Sequence, residues 1–101
     1  MLVFEKLVIE HLRSFNRELP PGRRLAERLD AVMIGPGASF DSLDTVEFLI
    51  GLEDEIAAIV GRRINISRRV ERAEQETVTI ADVVVCIEQL CAEIASVAVN
   101  I

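Results

Sequence analysis

Apolar residues fall at Phe4, Leu7, Val8, Leu12 and Phe15, in steps of three and four, so the start of the chain reads as an amphipathic helix. That helix stops before Pro20-Pro21-Gly22, because proline cannot continue it and restricts the residue before it. From Gly22 to Phe40 the spacing weakens to Leu25, Leu29 and Val32 and runs into Gly35-Pro36-Gly37. A long loop with one or two helical turns is expected there, and loops of that length usually carry function.

At Asp41 the pattern sharpens. Asp41 is a good helix N-cap, and Asp44 sits three residues on, where an acid helps the first turn. Val46, Leu49, Ile56 and Val60 mark one face, so a second helix is expected over Ser42 to Val60, ending near Gly61. The connection Arg62-Arg63-Ile64-Asn65-Ile66-Ser67-Arg68-Arg69 is basic, and Ser67 is placed to cap a short third helix reaching about Glu74. A final helix opens at Thr79 with Asp82 three residues on, and carries Ile80, Val83, Val84, Ile87, Leu90, Cys91, Ile94 and Ala98 on one stripe. Val83-Val84-Val85 invites a strand reading, but helical spacing persists far beyond the five or so residues of an ordinary strand. The expectation is an all-α, antiparallel four-helix bundle, three helices long and one short, forming a single domain over 1–101.

Composition adds little to this picture, but charge changes it. With 50% hydrophobic and 28% charged residues the chain is an ordinary globular domain. Its formal charge of -6 opposes a phosphate backbone, so nucleic acid is not an expected partner. No stretch approaches the apolar length of a membrane span and no secretory pattern opens the chain, which makes the cytoplasm the expected address. On one straight helix Cys86 and Cys91 would lie roughly 8 to 9 Å apart, beyond disulfide reach, and both read as small buried hydrophobes.

No catalytic set emerges. His11 is the only histidine; it falls on a mostly polar arc of the first helix and reads as a solvated surface residue. The carboxylates lack a histidine or thiolate partner for a metal, and no glycine-rich phosphate loop precedes a helix. The chain is read as a non-enzyme. Its acidity is concentrated instead: Asp41, Asp44, Glu47, Glu53, Asp54 and Glu55 lie in one segment without a basic residue, and the rest of the chain sums to zero. Natural helices usually mix both signs to gain favourable pairs. Ser42 opens that helix, where unpaired backbone N–H groups and the helix dipole favour a negative charge, so a phosphate ester would suit its hydroxyl.

The stretch from Asp41-Ser42-Leu43-Asp44 to Glu53-Asp54-Glu55 resembles the second helix of acyl carrier proteins, where Asp-Ser-Leu precedes an acidic, aliphatic helix. Thr77-Val78-Thr79-Ile80-Ala81-Asp82-Val83-Val84 is also similar to the family's last helix. The resemblance implies that Ser42 is the attachment point of 4'-phosphopantetheine, flanked by Asp41 and Leu43, and that a phosphopantetheinyl transferase loads the arm from coenzyme A. It implies further that Asp44, Glu47, Ile50, Glu53 and Asp54 face acyl-loading and acyl-transfer enzymes, on a carrier that acts as a monomer. Three features set the chain apart from fatty-acid carriers: Gly37-Ala38-Ser39-Phe40 lacks the leucine-glycine step, five arginines lie between Arg62 and Arg72, and the last helix continues through Ile94, Val97 and Ile101. They point to a specialised lipid or polyketide pathway. A stand-alone aminoacyl or peptidyl carrier and an unmodified helical adaptor are the alternatives.

Overall fold

The computed structural model describes residues 3–99, and the side chains of 96–99 are left aside. Among the described residues four α-helices and a two-stranded sheet enclose one core: α1 (Val3–Arg17), α2 (Ser42–Val60), α3 (Ile66–Ala73) and α4 (Ile80–Val99), with β1 (Val32–Ile34) and β2 (Val78–Thr79). The expected lengthening of the last helix is present in its backbone, which stays helical through Val97 and Ala98 to Val99, while the side chains of Val97 and Ala98, and Ile101 altogether, lie outside the described residues. No helix is long and apolar enough to cross a membrane among the described residues.

The expectation of a helical fold with three long helices and one short holds, and a small sheet is added to it: β1 pairs antiparallel with β2, Val32 opposite Thr79 and Ile34 opposite Val78. The segment expected to be a loop with helical turns contributes only a 3₁₀ turn at Pro21–Arg23 before it becomes a strand. Three contacts order it. Buried Asn16 donates from Nδ2 to the Leu25 carbonyl at 2.8 Å and accepts from the Leu25 N–H at 3.1 Å, so a side chain acts as a strand partner. The carbonyls of Leu29 and Ala31 accept from the N–H groups of Ala81 and Ile80, satisfying donors that the start of α4 leaves unpaired. Gly35 then turns the chain at φ 120°, and a Cβ there would come within 2.6 Å of the Glu76 carbonyl oxygen. Only glycine fits that turn.

Helix boundaries follow from side-chain chemistry. Asp41 and Asp44 form a reciprocal capping box, and Gly61 ends α2 in the left-handed conformation, both as the sequence suggests. Thr79 and Asp82 form a second box at α4: Thr79 N–H donates to Asp82 at 2.9 Å and Asp82 N–H donates to Thr79 Oγ1 at 3.2 Å. Helix α4 therefore begins at Ile80, with Thr79 shared between its cap and β2. For α3 the expected cap is displaced: Asn65, not Ser67, accepts from the Arg68 N–H, and the helix ends at Ala73 with Glu74 in a left-handed conformation.

Val8 and Leu12 of α1, Phe48, Leu49, Leu52 and Ile56 of α2, and Ile80, Val83, Val84 and Ile87 of α4 build the core, with Met33 entering from β1. Phe15, Phe40 and Phe48 meet with ring centroids 5.5 to 5.7 Å apart, a spacing favourable for edge and tilted aromatic pairs. Phe40 is thus anchored in the core immediately before the Asp41 cap. Val46, expected on the buried face of α2, is exposed; Phe48 and Leu52 take that place. Cys86 is buried and Cys91 partly buried, both as free thiols, and burial raises the pKa of each.

Candidate functional site

Phe40 in the core and the capping box together hold the first turn of α2 in place, and Ser42 occupies its first helical position with its side chain at the surface. Asp41 Oδ1 accepts from the Asp44 N–H at 2.8 Å while Asp44 Oδ2 accepts from the Asp41 N–H at 3.1 Å. Both neighbouring carboxylates are therefore engaged with backbone, and the Ser42 hydroxyl makes no hydrogen bond to a described residue. A cleft of about 480 Å³ opens beside it, walled by Met33, Ile34, Ala38 and Phe40 on one side and by Asp41, Ser42 and Thr45 on the other.

The face of α2 that continues from Ser42 is apolar and exposed. Leu43 is 63% exposed, Val46 48% and Ile50 44%, with Glu47 and Asp54 also at the surface on this side of the helix. These positions recur at three- and four-residue steps, so they form one stripe. Exposed large side chains scattered singly are ordinary, whereas these lie next to one another along the helix.

Two residues expected on that surface are turned inward. Asp44 is 2% exposed: Arg23, carried on the 3₁₀ turn, donates from Nε at 3.2 Å and from Nη2, and this hydrogen-bonded pair holds the Asp44 carboxyl below its ordinary range. Glu53 is 6% exposed and its Oε2 accepts from the Ile66 N–H at 2.7 Å, the Ser67 N–H at 3.1 Å and the Ser67 hydroxyl at 3.4 Å. It satisfies donors at the start of α3 and ties that helix to α2. Neither carboxylate is presented to a partner. Asp54 stays exposed but is paired with Arg63.

Glu55 points the other way, towards α1. Its Oε1 lies 3.2 Å from His11 Nδ1, while His11 Nε2 lies 3.1 Å from the Phe48 carbonyl oxygen and the ring packs 5.1 Å from that of Phe48. His11 is therefore an interhelical contact, correcting the expectation of a solvated residue. Gly51 makes room for it, since a Cβ there would meet the imidazole at 3.0 Å. The signal was present in the spacing: His11 lies four residues after Leu7 and four before Phe15, on the inward stripe of α1.

Of the six acidic residues in the segment, only Glu47 has neither an ion pair nor a hydrogen bond to a described residue. The described residues hold no group of three or more potential metal-ligating side chains close enough to bind an ion. No family model matches the chain, and no curated protein and no solved structure matches it.

Proposed function

We propose that the chain is a discrete acyl carrier protein with the helical-bundle fold of that family, a cytoplasmic monomer carrying 4'-phosphopantetheine on Ser42 for a specialised lipid or polyketide pathway. The observation that carries the reading is the state of Ser42. Its hydroxyl is exposed and without a hydrogen-bond partner among the described residues, at the start of a 19-residue helix whose cap is made by other residues.

The surroundings suit such a group. Attachment requires the Ser42 oxygen to attack the coenzyme A pyrophosphate: the new Oγ–P bond forms, the P–O–P bond breaks, adenosine 3',5'-bisphosphate leaves, and the serine proton passes to a base on the transferase. The fixed, exposed hydroxyl allows a transferase to approach, and the helix start tolerates the resulting phosphodiester charge. When attached, the arm supplies a terminal thiol that holds an acyl group as a thioester. The stripe of Leu43, Val46, Glu47 and Ile50 supports docking of the enzymes that load and use that group, with Glu47 as its free charge. Delivery then works through the high local concentration of a tethered reactant.

Intact-mass measurement after incubation with coenzyme A and a promiscuous phosphopantetheinyl transferase tests this. The wild type gains one phosphopantetheine, and Ser42→Ala folds normally and gains nothing. An unchanged wild-type mass with several active transferases leaves the helical-adaptor alternative in its place.

A further inference from the structure

The arginine-rich stretch contains five cations that the structure divides in two. Arg63 pairs with Asp54 and approaches Glu53, and Arg69 pairs with Glu93 of α4 at 2.9 Å. Arg62, Arg68 and Arg72 have no carboxylate within ion-pair distance among the described residues, and all three are exposed. Glu71 lies exposed on the same short helix without taking any of them as an ion-pair partner. The unpaired Arg68 also sits in the first turn of α3, a turn with no acidic residue. Cations at a helix start oppose the dipole, so this placement does not serve the helix. Positions that break a local rule without structural return mark function.

These arginines border two adjoining clefts. One, of about 280 Å³, is lined by Arg62, Ile64, Asn65, Leu90 and Ile94 together with the paired Arg63 and Glu93; the other, of about 160 Å³, by Asn65, Arg68, Arg72 and Leu90 together with the paired Arg69. Asn65 and Leu90 are common to both, and the Arg69–Glu93 ion pair links the wall of one to the wall of the other, so the clefts adjoin as a groove with an apolar floor from α4 and a rim on which Arg62, Arg68 and Arg72 are the cations without an ion-pair partner among the described residues. We infer that this groove docks an acidic protein segment, with carboxylates placed around an aliphatic anchor, from a partner distinct from the one met by α2. The anchor fits the floor of Leu90 and Ile94, and the carboxylates fit the rim. A polyphosphate backbone suits it less, because it has no apolar group to place on the floor of Leu90 and Ile94. A second copy of the chain suits it less as well, since on its acidic helix Glu47 is the one carboxylate without a partner among the described residues.

The surface stands apart from the modification of Ser42, so the test uses the unmodified full chain. A synthetic helical peptide with leucines at four-residue spacing and flanking glutamates is titrated into the isotope-labelled protein, beside the same peptide with lysines for glutamates. The acidic peptide shifts the amide signals of Ile64, Asn65, Leu90 and Ile94, and the lysine peptide does not. The triple variant Arg62→Gln, Arg68→Gln, Arg72→Gln keeps the wild-type helix content and weakens binding by about tenfold or more, while Lys6→Gln, which removes an exposed cation from α1, binds as the wild type does. Single Arg68→Gln, with a smaller loss, guards against a misfolded triple variant. The inference is overturned by equal binding of both peptides, by wild-type affinity in the folded variants, or by shifts confined to α2. Tighter binding to phosphatidylglycerol vesicles, or the same shifts appearing with protein concentration alone, also overturns it.

Discussion

The acidic helix and the arginine-rich stretch that follows it look in the sequence like matched opposites, yet the fold treats their charges differently. On α2, Asp41 and Asp44 cap the helix, Asp44 pairs with Arg23, Glu53 holds α3, Asp54 meets Arg63 and Glu55 meets His11. Glu47 is the remainder. Beyond Gly61, Arg63 and Arg69 are paired while Arg62, Arg68 and Arg72 are exposed and have no ion-pair partner among the described residues. A helix rich in acid therefore presents most of its carboxylates already engaged within the fold, and a loop and short helix present most of the unpaired charge of the two regions among the described residues. The density of charge in a sequence is thus a poor guide to the charge a partner meets; pairing within the fold decides it.

The comparison breaks most visibly at Glu53, the carboxylate placed deepest in α3's support. Glu53→Leu leaves the Ile66 and Ser67 N–H groups without their acceptor and should cost about 3 kcal/mol. Chemical denaturation with hydrogen exchange on α3 checks it, and wild-type stability with a protected α3 would return Glu53 to the docking surface.

Asp44 should follow, at about 2 kcal/mol for Asp44→Asn, the range of a hydrogen bond to a charged group. Its folded carboxyl lies below the unfolded value of 3.8, so the native state binds fewer protons than the unfolded chain as that range is entered. The stability it contributes is complete above that value and is lost as pH falls through the lower folded one. The gap between wild type and Asp44→Asn should accordingly be constant near neutrality and close below about pH 4. A gap that widens in acid would have the wrong sign for the Arg23 pair.

Gly51 sharpens the account of the α1 contact. A helical glycine replaced by alanine normally gains about 1 kcal/mol, but here the new methyl meets His11. Gly51→Ala alone should gain little or lose stability, and should recover the full gain in a His11→Ala background. Identical effects in both backgrounds would show that the imidazole does not occupy that space.

The smallest effect on folding belongs to Glu47, exposed and without an ion-pair partner among the described residues. Glu47→Lys should shift stability by less than about 0.5 kcal/mol while slowing acyl transfer to a partner enzyme, most at low ionic strength. Unaltered transfer at every salt concentration would remove α2's free charge from docking and leave the aliphatic stripe to act alone.

Local chemistry made much of the molecule legible beforehand. The extents of α1 and α2, the Asp41 cap, the Gly61 stop and the Thr79 and Asp82 pairing follow from periodicity and from hydrogen bonds between residues three or four apart, which a linear sequence displays directly. Ser42 is conspicuous for the same reason: its place at a helix start is a local fact. What only the tertiary structure decided involves partners distant along the chain. The partner of β1 lies beyond α3, Asn16 clamps Leu25, Glu53 reaches forward to Ile66, and His11 finds Phe48 and Glu55 on another helix. Each of these turns a residue that local rules place at the surface, or in a loop, into part of the interior. An ion pair or strand pairing depends on which surfaces the packed core brings within about 3 Å, and that proximity is a property of the fold as a whole.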